Sequence, residues 1–239
     1  MTVTRRGQVK KTALSKYENF REKGIIGVEI EENDQLLSAA ITDGARGLLI
    51  ATRSGMSIRF SEDDVRPTGR ATMGVKGIEL DEGDVVVGMG VTGEGRDRVL
   101  AVCERGYGKQ TPIDEFRLQS RGGKGVILID ASERNGPVVG VAMVGPTDEV
   151  ILVTDRGQTL RTKVSQIRET GRNAQGVRLM NVDEGERVVA IEAFAEEGSE
   201  GAGASQPPEN GAGAPQENGA GAPLSVLPPP PDDDNSTQG

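Results

Sequence analysis

The sequence predicts an all-β fold of propeller type, built from about four repeated units and followed by a C-terminal segment without a core. Two landmarks keep nearly the same period. A turn glycine recurs at spacings of 48, 51 and 51 residues, at Gly7, Gly55, Gly106 and Gly157. A basic-x-x-x-Gly-Val segment recurs at spacings of 47, 51 and 51 residues, beginning at Lys23, Arg70, Arg121 and Arg172. Two independent landmarks with one period indicate a repeat architecture.

The second repeat shows how one unit is expected to fold. Apolar and alternating segments predict four antiparallel strands, at 48–52, 56–60, 75–80 and 85–89. A short polar turn or single helical turn is expected at 61–65. Four strands per fifty residues match one propeller blade. We therefore expect blades at about 1–44, 45–95, 96–146 and 147–195, with Thr2–Thr4 as a weak innermost strand of the first.

The last segment of the chain, residues 196–239, has a different composition from the rest. It contains no Lys, Arg, Phe, Tyr or Ile and consists mainly of Gly, Ala, Pro, Glu and Asn. Such a segment cannot bury enough apolar surface to offset the loss of chain entropy. We therefore expect a disordered tail after a folded body of residues 1–195.

The formal net charge of −9 on the whole chain argues against a nucleic-acid partner, but the charge differs between the tail and the body. The tail holds 8 acidic residues and no basic ones, which leaves the body with 28 basic against 29 acidic residues. Within the body, 23 of the 28 basic residues fall in four periodic windows, at 5–23, 53–76, 105–124 and 156–178. Because local charge distribution decides which partners a surface attracts, the pattern predicts a basic edge and an acidic edge.

Several function classes lack support in the sequence. Histidine is absent and Cys103 is the single cysteine, so the usual nucleophile pairs and cysteine metal clusters are missing. The Gly88–Gly93 segment matches a dinucleotide fingerprint only formally, because no helix is expected after it. No signal peptide or membrane-spanning run is visible, which fits the cytoplasm. We expect a chain that is not an enzyme on its own and that binds neither metal nor cofactor.

The segment Gln119–Gly125 is the strongest candidate site. Its glycines expose backbone N–H groups, and its two basic side chains suit phosphates rather than base edges. One copy could be a loop with solvated charges, but four copies in register favour phosphate binding. The candidate DNA-binding residues are Gln119, Arg121, Gly122, Gly123, Lys124 and Gly125, together with Lys10, Lys11, Lys23, Arg59, Arg70, Lys109, Arg161 and Arg172.

This segment resembles the Gln-Arg-Arg-Gly-Gly-Lys-Gly box in the C-terminal domain of the bacterial DNA gyrase A protein, with Ser120 in place of one arginine. The weaker segments at Lys23, Arg70 and Arg172 resemble the degenerate boxes of that family, and residues 170–180 are similar to its last blade. The resemblance covers residues 1–195, and an acidic tail is also common in the family. Topoisomerase IV is a weaker match.

The resemblance implies a six-bladed β-pinwheel that wraps double-stranded DNA around a basic rim. It also implies partners, namely the gyrase B protein and the N-terminal part of the gyrase A protein in an A2B2 complex, with ATP and Mg²⁺ bound by other parts of that enzyme. Two features depart from the family: the best box lies in the third repeat, and four units are present instead of six. We therefore expect an open arc of blades, from a truncated gene or gene fragment. A stand-alone propeller that binds proteins, or the equivalent domain of topoisomerase IV, is the alternative.

Overall fold

The computed structural model describes residues 1–19, 22–93 and 95–195. The described residues form short β-strands and short 3-10 helices, and no helix among them is long and apolar enough to cross a membrane. The strands are β1 (Thr2–Thr4), β2 (Gln8–Lys10), β3 (Leu36–Ala39), β4 (Gly47–Thr52), β5 (Met56–Ser61), β6 (Val75–Lys76), β7 (Val86–Val91), β8 (Arg98–Cys103), β9 (Tyr107–Pro112), β10 (Val126–Ile127), β11 (Val138–Val144), β12 (Glu149–Thr154), β13 (Thr159–Lys163), β14 (Val177–Arg178) and β15 (Val188–Phe194).

A short 3-10 helix follows the second strand of each repeat along the chain. The four helices span Leu14–Tyr17, Glu62–Asp64, Ile113–Glu115 and Val164–Gln166. The helical turn expected at 61–65 is therefore confirmed. The tail predicted at 196–239 lies outside the described residues.

The strands form four antiparallel sheets, one per blade. Their orders, from the inner strand outwards, are β3-β1-β2-β6, β7-β4-β5-β10, β11-β8-β9-β14 and β15-β12-β13. The all-β, four-bladed prediction is confirmed. The expectation that each unit supplies all four strands of its own sheet is wrong, because β6, β10 and β14 each cross to the sheet of the preceding repeat.

The innermost strands are β3, β7, β11 and β15, which line a central cavity of about 740 Å³. Thr2–Thr4 is therefore not innermost; β1 lies second in its sheet, between β3 and β2. Extended packing joins β3 to β7, β7 to β11 and β11 to β15. Within the described part of the chain no comparable packing joins β15 back to β3, so the blades form an open arc.

Three apolar clusters hold the blades together, one at each junction. Val3 and Val9 of the first blade pack with Phe60 of the second. Leu49 of the second blade packs with Phe116 of the third. A third cluster joins the third blade to the fourth in the same way. Alternate residues of a strand point to opposite faces of a sheet. Each middle blade therefore buries one face against the blade before it and the other against the blade after it.

Candidate nucleic-acid interface

The four basic segments, which we call boxes 1 to 4 (residues 23–27, 70–74, 121–125 and 172–176), lie on the outer side of the arc. Boxes 2 to 4 each pass over the third strand of the preceding blade's sheet, just before the exchanged strand. The final glycine of a box meets that strand so closely that a side chain would collide. A Cβ at Gly125 would lie 2.0 Å from the Ser57 carbonyl oxygen, and one at Gly176 would lie 2.4 Å from that of Gly108.

Each arginine that begins a box binds backbone within or beside the preceding box. The Arg121 guanidinium donates to the carbonyl oxygens of Asp64 and Lys76, both at 2.9 Å. The Arg172 guanidinium donates to the Ile127 carbonyl at 3.3 Å, and that of Arg70 donates to the Ile26 carbonyl at 2.8 Å. The boxes therefore form a continuous series along the rim, linked edge to edge by arginine side chains.

Two of the candidate lysines are buried beneath the boxes. Lys109 is 0% exposed, and its ammonium group donates to the carbonyls of Gly171 at 2.5 Å and Arg172 at 2.6 Å. Lys10, 4% exposed, donates to the carbonyls of Gly27 and Arg70. Burial lowers the pKa of Lys109 to about 8 and also lowers that of Lys10. These charges hold the box loops in place from behind and are not presented to a ligand.

Lys11 and Arg59 make a different structural contact. Both lie in or just after the third strand of a sheet, and both reach the 3-10 helix of the next repeat. Lys11 pairs with the buried carboxylate of Glu62 at 3.3 Å, and the Arg59 guanidinium donates to the carbonyls of Ile113 and Phe116. Gln110 repeats the arrangement without a charge, since its amide donates to the carbonyls of Val164 and Ile167.

The remaining candidates are more accessible. Lys23 is exposed, and the exposed ammonium group of Lys124 pairs with Asp81 at 3.0 Å, which raises the pKa of Lys124. Gln119 is half-buried, and its backbone N–H donates to the Arg59 carbonyl. Arg161 pairs with Glu149 of its own blade. Because Asp81 reaches Lys124, the basic and acidic segments are less separated in space than along the chain.

Three exposed arginines outside the predicted set recur beside the boxes. Arg66, Arg117 and Arg168 lie four residues before the first residues of boxes 2 to 4, at a constant spacing of 51. Each directly follows a buried anchor of the core, namely Val65, Phe116 and Ile167. All three are exposed, and none forms an ion pair with a residue that the structure describes. Their shared spacing was a signal that could have identified them.

The strand exchange, the repeated boxes and the open arc define a β-propeller domain of the β-pinwheel type. A family model described as the DNA gyrase C-terminal domain, beta-propeller, matches residues 1–43, 48–92, 97–144 and 148–195. The chain belongs to this family.

Individual relatives agree with the family match. The chain is 42% identical over 191 residues to the DNA gyrase A protein of Haloquadratum walsbyi and 43% identical over 195 residues to that of Staphylococcus epidermidis. These matches cover 80% and 81% of this chain but 22% of each relative. The chain thus spans about a fifth of the length of these relatives.

Two solved structures share the fold. A C-terminal domain of DNA topoisomerase IV aligns with a TM-score of 0.77 and 28% identity, and a DNA gyrase A C-terminal domain with a TM-score of 0.73 and 27% identity. Each alignment covers 81% of this chain, and it covers 61% and 64% of the two structures respectively. The two sequence relatives are gyrase proteins, so the stronger resemblance predicted to gyrase is confirmed.

Proposed function

We propose that this chain binds duplex DNA along its outer rim, without sequence preference, and bends the duplex around the arc. One observation carries the proposal: every junction between blades presents the same basic loop and the same exposed arginine, in one continuous row. The backbone phosphates of DNA repeat regularly whatever the base sequence. A row of cations at one place per blade can therefore follow a duplex over several blades.

The structure divides the basic residues of the rim into two groups. The arginines of boxes 2 to 4 and the lysines beneath boxes 2 and 4 bind backbone carbonyls, which fixes the shape of the rim. Arg66, Arg117 and Arg168 are exposed and lack carboxylate partners in the described residues, so their charge is available to phosphates. Lys124 can join them by exchanging Asp81 for a phosphate, because both partners of that pair are exposed.

In the complete enzyme, we expect this region to act as the wrapping part of a gyrase A protein and not to be catalytic by itself. Wrapping would deliver an oriented DNA segment to a cleavage core in the N-terminal part of the gyrase A protein, in an A2B2 complex with the gyrase B protein. ATP and Mg²⁺ would be bound by those other parts, in the cytoplasm. The family membership and the gyrase A relatives support this assignment.

The salt dependence of DNA binding tests the proposal. Each phosphate neutralised contributes about −0.9 to the slope of log affinity against log salt concentration. Replacing Arg66, Arg117 and Arg168 together with alanine should therefore weaken binding and make the slope less steep by about 2.7. The measurement is fluorescence anisotropy with a labelled duplex of random sequence and with a scrambled version.

A matched control uses three other arginines, from repeats one, three and four. Arg6, Arg105 and Arg156 are exposed and lie directly before turn glycines, at the opposite end of the third strands from the 3-10 helices. Replacing them with alanine removes the same charge but should leave the slope nearly unchanged. Equal losses of DNA affinity and of salt slope in both triple variants would refute the assignment of DNA binding to the rim. A strong preference for one duplex sequence would refute it as well.

A further inference from the structure

The residue that follows each exposed arginine of the rim occupies one fixed place at each of the three junctions between blades. These residues are Pro67, Leu118 and Glu169. Each forms a parallel bridge to a residue in or just after the third strand of the preceding blade, namely Lys11, Arg59 and Gln110. The backbone N–H of the following residue donates to the carbonyl oxygen of the same partner, at 2.9, 3.0 and 2.9 Å. The three side chains are therefore carried by a backbone that is held in the same way at every junction.

Two of the three junctions carry an apolar side chain at this place. Leu118, at the second junction, is 62% exposed, and Pro67, at the first, is also exposed. The third junction has Glu169 instead, which pairs with Arg98 at 2.7 Å. The structure describes the blades on both sides of Leu118, so its exposure does not depend on either end of the chain.

Both apolar side chains lie beside cations to which we assign DNA phosphates. A single exposed leucine is ordinary on a protein surface, but Arg117 directly precedes Leu118, Arg66 directly precedes Pro67, and both arginines are exposed. Proteins that bind the minor groove often combine a basic side chain with an apolar one that inserts between two base pairs and partly unstacks them. The first and second junctions carry both components, whereas the third has only the arginine, Arg168.

Insertion of an apolar side chain would help a duplex to follow the arc. The persistence length of duplex DNA is about 50 nm, so a tight and smooth bend is costly. A kink at an unstacked base step places the bend where the protein contacts the DNA. An inserted Leu118 or Pro67 forms no hydrogen bond with a base edge, so the kink does not require a particular base sequence.

We propose that Pro67 and Leu118 insert between base pairs of the bound duplex and kink it at the first and second junctions. This inference rests on the proposed function, since it states how the same rim shapes the DNA that it binds. The third junction contacts the duplex through Arg168 and leaves the bases stacked. The curvature of the bound DNA is therefore concentrated at two of the three junctions.

The fluorescence of 2-aminopurine tests the proposal, because it rises when this base loses its stacking partners. The chain has no tryptophan, so the signal reports on a duplex in which 2-aminopurine replaces several adenines. The full chain at saturating concentration should raise the fluorescence. Leu118→Gln should remove roughly half of the rise, and Leu118→Gln combined with Pro67→Gln should abolish it. Leu118→Met keeps an apolar side chain of similar size and should behave like the unchanged protein.

The third junction allows the opposite experiment. Glu169→Leu gives this junction the residue that the second junction already has, and it should increase the fluorescence rise by roughly half. Glu169→Gln is the matched control, because it removes the same negative charge without adding an apolar group, and it should leave the rise unchanged. In both variants Arg98 keeps its pair with Asp97 at 2.6 Å.

Fluorescence anisotropy on the same samples separates a failure of this inference from a failure of the proposed function. Binding of the duplex without a rise in 2-aminopurine fluorescence overturns the insertion and leaves DNA binding intact. A full rise with the double variant does the same, whereas a chain that binds no duplex overturns both proposals. The double variant should keep the salt slope of the unchanged protein, because it loses no phosphate contact. If Pro67→Gln does not fold in a circular-dichroism melt, Leu118→Gln and Glu169→Leu decide the question.

Discussion

The buried Lys109 should make the stability of the protein depend on pH in a predictable window. Its side chain is fully buried beneath box 4, and Ile58 occupies the equivalent position beneath box 3. The informative substitution is therefore Lys109→Ile, which gives the third blade the residue that the second already has. It removes a buried charge and two hydrogen bonds to the carbonyls of Gly171 and Arg172.

The direction of the effect follows from proton binding in the two states. The pKa of Lys109 is 10.5 in the reference state and about 8 in the fold, because burial disfavours the charged form more than nearby Glu115 supports it. Between pH 8 and 10.5 the Lys109 side chain binds more protons in the unfolded chain than in the folded one, so its contribution to stability rises with pH. Below this window Lys109 is protonated in both states, so the folded state bears the full free-energy cost of burying the charged ammonium group. At about 1.4 kcal/mol per pH unit, the difference amounts to about 3 kcal/mol.

The assay is urea denaturation followed by circular dichroism, since the chain has no tryptophan, at several pH values from about 7 to 10.5. The free energy of unfolding of the wild type should rise relative to that of Lys109→Ile by about 3 kcal/mol across the window. Ile58→Val, at the equivalent position without a titratable group, should differ from the wild type by a constant amount. A constant difference for Lys109→Ile as well would show that Lys109 keeps an ordinary pKa and would refute the reasoning.

Three further results are expected. Gly125→Ala should destabilise the fold by about 2 kcal/mol or more, since its Cβ would meet the Ser57 carbonyl oxygen at 2.0 Å, and equilibrium urea unfolding beside Gly83→Ala measures the excess over backbone strain alone. Arg121→Gln should lower the melting temperature, because a single amide group cannot replace the guanidinium at both of the carbonyls it binds, and should leave the salt slope of DNA binding unchanged; a slope less steep by about 0.9 would make Arg121 a phosphate contact. Deleting residues 198–239 should tighten DNA binding, most strongly at low ionic strength, because the acidic tail competes with DNA for basic groups; unchanged affinity in anisotropy titrations would contradict this.

The periodicity was enough to predict the number of blades and most of the strands. The 51-residue spacing of Gly55, Gly106 and Gly157 fixes the repeat, and the apolar segments fix which strands are buried. The exchange of β6, β10 and β14 could not be predicted in the same way. A strand that pairs within its own repeat and one that crosses to the preceding repeat give the same spacing and the same composition. The strand pairing in the folded chain, for example that of Val126 with Ser57, distinguishes the two arrangements.

The sequence identified the basic segments but not the contacts that their side chains make. The sequence cannot show that the Lys109 ammonium group binds carbonyls of a loop 62 and 63 residues away. The sequence alone does not distinguish a solvated lysine from a buried one. Arg66, Arg117 and Arg168 were within reach of sequence reasoning, because each follows an apolar residue at one fixed spacing.

The strand exchange has a consequence for the order in which the chain can fold during synthesis. The other three strands of the first blade end at Ala39, but its fourth strand is Val75–Lys76. The first blade therefore cannot be completed until most of the second repeat has left the ribosome, and the same delay recurs at the second and third blades. Folding should proceed as a wave from the N-terminus, one repeat behind synthesis, with a single unfinished sheet edge exposed at any time.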